Sequence, residues 1–137
     1  MKTEDIKHNG SVIAKIFYRQ PIQPGVHFYC ENESSLQIGK QLRAKGEKIR
    51  PHRHRPVMVE RKETLKEVLY IEKGKVKVTF YTDGWKEIGF RTLNIDDMVM
   101  LISGGHGFEI LEETEMIEIK QGPYDPEATK RMGDDKQ

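Results

Sequence analysis

A chain of 137 residues is close to the modal size of one domain and leaves no room for a second sizeable core. Its 23 basic and 22 acidic residues give a net charge of +1, too weak a field to draw nucleic acid or a membrane surface, and no run approaches the ~20 apolar residues of a membrane helix. A hydrophobic fraction of 36% and a mean hydropathy of -0.71 call for a core of alternating apolar positions, as in antiparallel sheet with one wet face.

The polar start, residues 1–5, has no apolar run of the kind found in a signal peptide, so a cytoplasmic location is expected. Residues 11–19 read as a first strand, which Pro21 and Pro24 interrupt before 26–31 resumes extended structure. Cys30, the single cysteine, excludes an intramolecular disulfide and has no base beside it that would make it a nucleophile. Residues 32–35 form a turn. Residues 36–44 alternate, with Leu36, Ile38 and Leu42 on one face, and 45–47 turn the chain again.

Next comes Arg50-Pro-His-Arg-His-Arg-Pro56. In an extended strand alternate side chains share a face, so His52 and His54 point one way and Arg53 the other. By itself such a pair among arginines is more often surface than ligand.

Glu67 opens a strand whose parity puts Leu69 and Ile71 on its own face. Lys73-Gly-Lys75 then turns into a hairpin, with Val76, Val78 and Phe80 inside and Lys75, Lys77 and Thr79 outside. Thr82-Asp-Gly84 is a further turn, and 85–94 and 98–102 supply two more strands. Gly104 and Gly105 lead into His106, which shares a face with Phe108 and Ile110. Residues 115–121 close the sheet structure, and the charged tail 125–137 has no apolar pattern. The fold class is all-β, with one domain over 1–124 and a tail over 125–137.

Neutral imidazoles suit Zn, Fe, Ni and Cu, and a carboxylate adds the harder oxygen that also admits Fe(II) and Mn(II). His52, His54, Glu67 and His106 are therefore the candidate ligands of one divalent ion, Fe, Mn, Ni or Zn, with open positions left for substrate.

The order of these residues is Gly46, five positions, His52, one position, His54, then Glu67, six positions, Gly74, and a later strand, Ile95-Asp-Asp-Met-Val-Met-Leu-Ile-Ser-Gly-Gly-His106. It resembles the two sequence motifs of the cupin superfamily over roughly residues 42–124. The resemblance implies a double-stranded β-helix, a jelly-roll barrel with the metal inside it. The chain departs from the motifs at Asp96-Asp97, where Gly-Asp is usual, and around Ile102-Ser103, where a proline is usual. It also separates His54 from Glu67 by twelve residues where the motif has only a few. Residues 55–66 would then be a loop or strand arm at the barrel mouth. Glu60 competes for the ligand role but lacks the hydrophobic strand and glycine that follow Glu67.

Barrels of this kind host isomerases, epimerases, oxygenases, decarboxylases and binding modules, so function has to come from the site. The resemblance implies a metal-dependent isomerase or epimerase acting on a small oxygen-rich, carbohydrate-like or sugar-nucleotide substrate, the ion serving as Lewis acid. An Fe(II)-dependent dioxygenase and a non-catalytic ligand-binding barrel are the alternatives. Tyr70 and Lys120 are candidate catalytic proton carriers, and Arg50, Arg91 and Tyr124, with Arg53 and Arg55, are candidate substrate-binding groups. A homodimer is expected because open strand edges need covering, with 11–19 as the contact. Three glycines flank His106, and Gly105→Val is expected to disturb ligand access more than folding.

Overall fold

The computed structural model describes residues 2–60, 62–123 and 125–134. Ten strands follow in order: β1 (Lys2–His8), β2 (Ser11–Tyr18), β3 (Gly25–Phe28), β4 (Gly39–Leu42), β5 (Glu67–Lys73), β6 (Val76–Tyr81), β7 (Glu87–Leu93), β8 (Met98–Leu101), β9 (Gly105–Ile110) and β10 (Glu115–Lys120). A short 3-10 turn, Pro126–Ala128, lies in the tail. The protein is all-β, and no helix among the described residues is long and apolar enough to cross a membrane.

Every strand pair is antiparallel. One sheet has the order β1-β2-β8-β5-β10, a second β7-β6-β9, and β3 with β4 makes a separate ribbon; none of the three closes into a barrel. The larger sheets face each other. Ala14, Ile16, Leu69, Ile71, Val99 and Leu101 from one meet Val76, Val78, Phe80 and Leu93 from the other in a single buried cluster. Each such side chain withdrawn from water contributes roughly 1.5–3 kcal/mol.

The expectation of one wet face fails at the centre of the larger sheet. Phe17, Val68 and Met100 point away from the inner core, yet Tyr29, Cys30, Leu36 and Ile38 fold over them as a second layer. Hence β2, β5 and β8 carry adjacent apolar residues, such as Val68 with Leu69 and Ile16 with Phe17, where a one-sided strand would alternate. The outermost strands behave otherwise: β10 is exposed along its whole length.

Two expected positions shift for a definite reason. β1 carries one buried apolar side chain, Ile6, and so has no visible period; it is a strand because β2 offers it a ladder from Lys2↔Tyr18 to His8↔Ser11. Strand β2 in turn is paired on both sides, by β1 and β8, so 11–19 presents no free edge and the open edges of that sheet belong to β1 and β10. At the β5–β6 turn Gly74 has φ 90°, and a Cβ there would collide with the carbonyl of Glu113, so glycine is required on both counts.

Candidate functional site

The two large sheets are stacked so that β9 lies opposite β5. Glu67 shares the inner face of β5 with Leu69 and Ile71, and His106 shares the inner face of β9 with Phe108 and Ile110. Across the gap His106 Nε2 and Glu67 Oε1 are 2.9 Å apart. The Glu67 side chain is mostly buried, 14% exposed, and that of His106 is 32% exposed, so the imidazole is reachable from solvent. Its Nδ1 has no hydrogen-bond partner among the described residues.

Antiparallel register adds two more groups. Lys120 is directly opposite Glu67 on β10, and Glu118 is opposite Leu69, one diagonal step away. Both therefore face inward beside the pair, and Lys120 Nζ lies 3.9 Å from Glu118 Oε1. The result is a cluster of four ionisable groups from three strands at the edge of the apolar core.

Their electrostatics are unequal. The hydrogen bond from His106 holds the Glu67 carboxyl down to about 2, against an opposing push from burial, with further help from Glu118 and from the charges of His106 and Lys120. Glu118 moves upward from the ordinary carboxylate value, because its hydrogen bond to ionised Glu67 favours keeping its proton, as do burial and the Glu67 charge. One carboxyl is held ionised and its neighbour is biased towards the protonated form. Such a split marks acid–base sites more often than plain surface does.

Of the residues picked out from sequence, the structure brings together Glu67, His106 and Lys120. His52 and His54 stay close to each other, ring centroids 5.4 Å apart, but they lie in an exposed stretch, 43–60, that has no strand. His52 Nδ1 is 3.0 Å from the Arg50 carbonyl, a local bond. Arg50, Arg53, Arg55 and Glu60 belong to the same exposed segment. Tyr70 is on the opposite face of β5 from Glu67, its hydroxyl bonded to Asp96. Arg91 is on β7, two strands from β9, where its Nε binds Glu4 Oε1 at 2.8 Å and so ties β7 to β1. Tyr124 lies outside the described residues.

Among the described residues no group of three His, Cys, Asp or Glu side chains could hold a metal ion. Glu67 and His106 offer one oxygen and one nitrogen donor, half of the expected set, and as arranged the residues do not fit a four-ligand ion. Glu118 was not visible from sequence. Its parity with Lys120 on 115–121 was readable, but only the β5–β10 register brings it beside Glu67.

Gly105 corrects a further expectation. A Cβ there would come within 2.6 Å of the Trp85 ring and 3.3 Å of Tyr81 Cβ, so the glycine makes room for packed aromatics and not for a ligand beside His106.

Comparison of the chain with protein-family models, with curated proteins and with solved structures finds no match in any of the three.

Proposed function

We propose that the side-chain cluster of Glu67, His106, Glu118 and Lys120 is a proton-transfer site for a small oxygen-rich substrate, of the isomerase or epimerase class, with a carbohydrate-like compound as the leading candidate. The observation that carries this is the Glu67–His106 pair, a carboxylate fixing one imidazole nitrogen while the other has no partner among the described residues, beside a second carboxyl whose affinity for a proton is raised. Glu67, held ionised far below neutral pH, is too weak a base to take a carbon-bound proton; it fixes the orientation of the His106 ring. His106 Nδ1 takes or returns the proton, Glu118 supplies one to a developing oxyanion, and Lys120 offsets the negative charge of the substrate.

A metal would ask more of the chain. The missing donors are on His52 and His54, and they reach Glu67 and His106 only if the stretch that carries them folds back over that pair. Among the described residues strand β9 is paired to β6 alone, so an extended segment carrying both histidines has a ladder to join. That docking would also bring the sheets towards the closed jelly-roll that the cupin resemblance implies. A homodimer belongs to the same proposal, formed through β1 or β10.

Hydrogen exchange tests the proton transfer whatever the product is. The protein is incubated in D2O with a panel of sugar nucleotides, sugar phosphates and hydroxy acids, and each recovered compound is weighed by mass spectrometry. Deuterium incorporated at a carbon-bound position by the wild type and lost in His106→Ala supports the assignment; no incorporation into any compound removes it. Metal content by plasma mass spectrometry, for the wild type and for His52→Ala, separates the metal-dependent form from the metal-free one. Oxygen consumption with Fe(II), in place of deuterium exchange, would favour a dioxygenase.

A further inference from the structure

On the outer face of the larger sheet, four segments far apart in sequence surround a cavity of about 200 Å³: Arg19 after β2, Gly39 and Lys40 on β4, Tyr70 on β5, and Asp96 with Met98 at the entry to β8. We propose that this pocket binds a small molecule through a carboxylate or phosphate group. It lies on the opposite face of the sheet from the Glu67–His106 pair and is independent of it.

Donors outnumber acceptors around the cavity. Arg19 carries five N–H groups, and its Nε lies 3.3 Å from Asp96 Oδ2. Lys40 carries three, and one of them binds the Gln20 carbonyl at 2.9 Å. The single carboxylate in the wall, Asp96, already accepts the Tyr70 hydroxyl and pairs with Arg19. Two cations against one anion leave the pocket with a net positive charge and unspent donors, which suits an oxyanion and disfavours a metal ion. The Tyr70 ring and Met98 provide an apolar wall for the rest of the molecule.

Asp96 itself is costly in conformation. It has φ 67°, a left-handed backbone that glycine adopts freely and other residues seldom do. Glycine would satisfy the turn; what aspartate adds is a carboxylate that fixes Tyr70 and Arg19 at the pocket wall. The neighbouring Asp97 is buried and accepts the backbone N–H of Arg19 at 3.1 Å, which anchors the end of β2 at the same place. The cations are thus held by the fold and not merely displayed on it. A volume of 200 Å³ matches about seven waters, room for a short carbon skeleton with one acidic group but not for a nucleotide.

The test is a titration of backbone amide resonances with inorganic phosphate and, separately, with acetate, at constant ionic strength maintained by chloride. Saturable shifts at Arg19, Lys40 and Asp96, with the His106 amide unmoved, are expected at millimolar ligand. Arg19→Gln and Lys40→Gln should each weaken binding about tenfold, the loss of a charge-assisted hydrogen bond. The Arg19 side chain is 69% exposed, so its replacement leaves the fold intact. Tighter phosphate binding identifies a phosphate ester as the natural ligand class, and tighter acetate binding a carboxylate. Shifts that rise linearly and are matched by chloride, no shifts at all, or wild-type affinity in the double variant would overturn the proposal.

Discussion

Glu67 and Glu118 sit one diagonal step apart yet respond to pH in opposite senses. Glu67 is depressed from 4.5 to about 2, so the stability it contributes is present above the unfolded value and disappears as pH falls from about 4.5 through about 2. Glu118 is raised from 4.5, so its contribution is present below that value and is lost as pH rises through its folded value. Urea denaturation across pH should therefore show Glu67→Gln with a flatter acid limb than the wild type. Glu118→Gln should gain stability relative to the wild type as pH rises above 4.5, by less than about 1 kcal/mol because solvent screens an exposed carboxylate. The same experiment separates the partners: were Glu118 a spectator on the surface, its replacement would leave the pH profile unchanged. Gly105→Val forms a further residue-scale prediction. The added methyls meet Trp85 and Tyr81, so stability in thermal melting should fall by about 1–3 kcal/mol, whatever happens at His106.

At the scale of elements, what was legible followed side-chain parity. Leu69 and Ile71 beside Glu67, the Val76, Val78 and Phe80 face, and Phe108 beside His106 all read correctly, because a strand's period of two is written into its own residues. What was not legible depended on partners. Strand β1 has almost no apolar pattern and owes its form to β2; Glu118 becomes a site residue only through register with β5; the second apolar layer over Val68 comes from residues thirty or more positions upstream. The histidine segment fails as a strand for a related reason. Residues 43–66 contain Pro51 and Pro56, a cluster of like-charged arginines and no neighbouring ladder, so the expected alternation of His52 and His54 has nothing to pair with. Exposed Arg43, Lys45, Lys48, Arg53 and Lys62 make this segment the first target for trypsin. Limited digestion followed by mass spectrometry should locate the earliest cuts there. Docking of the segment on β9 predicts that a divalent metal slows those cuts in the wild type but not in His52→Ala; equal rates with and without metal would remove the docking.

In the molecule as a whole, the stacked sheets are joined by a carboxylate-to-nitrogen contact on either side of the shared apolar core. Arg91 on β7 meets Glu4 on β1, and His106 on β9 meets Glu67 on β5. The first is built for attachment alone. Its Glu4 carboxyl is lowered chiefly by the Arg91 hydrogen bond and also accepts the Tyr18 hydroxyl at 3.1 Å, so both partners are spent on each other and on the fold. Guanidinium stays charged at any physiological pH and cannot pass a proton on. The second pair substitutes an imidazole, which can, and sets a second carboxyl and an ammonium beside it. If both pairs merely hold the sheets together, Arg91→Ala and His106→Ala should behave alike, each costing up to about 1 kcal/mol in denaturation and nothing else. If the second pair is a working site, Arg91→Ala should lose stability while retaining deuterium exchange into substrate, and His106→Ala should lose exchange while folding nearly as well as the wild type. Side by side, the two variants distinguish a clasp from a catalyst within one scaffold, since either lesion sits at the border of the same core.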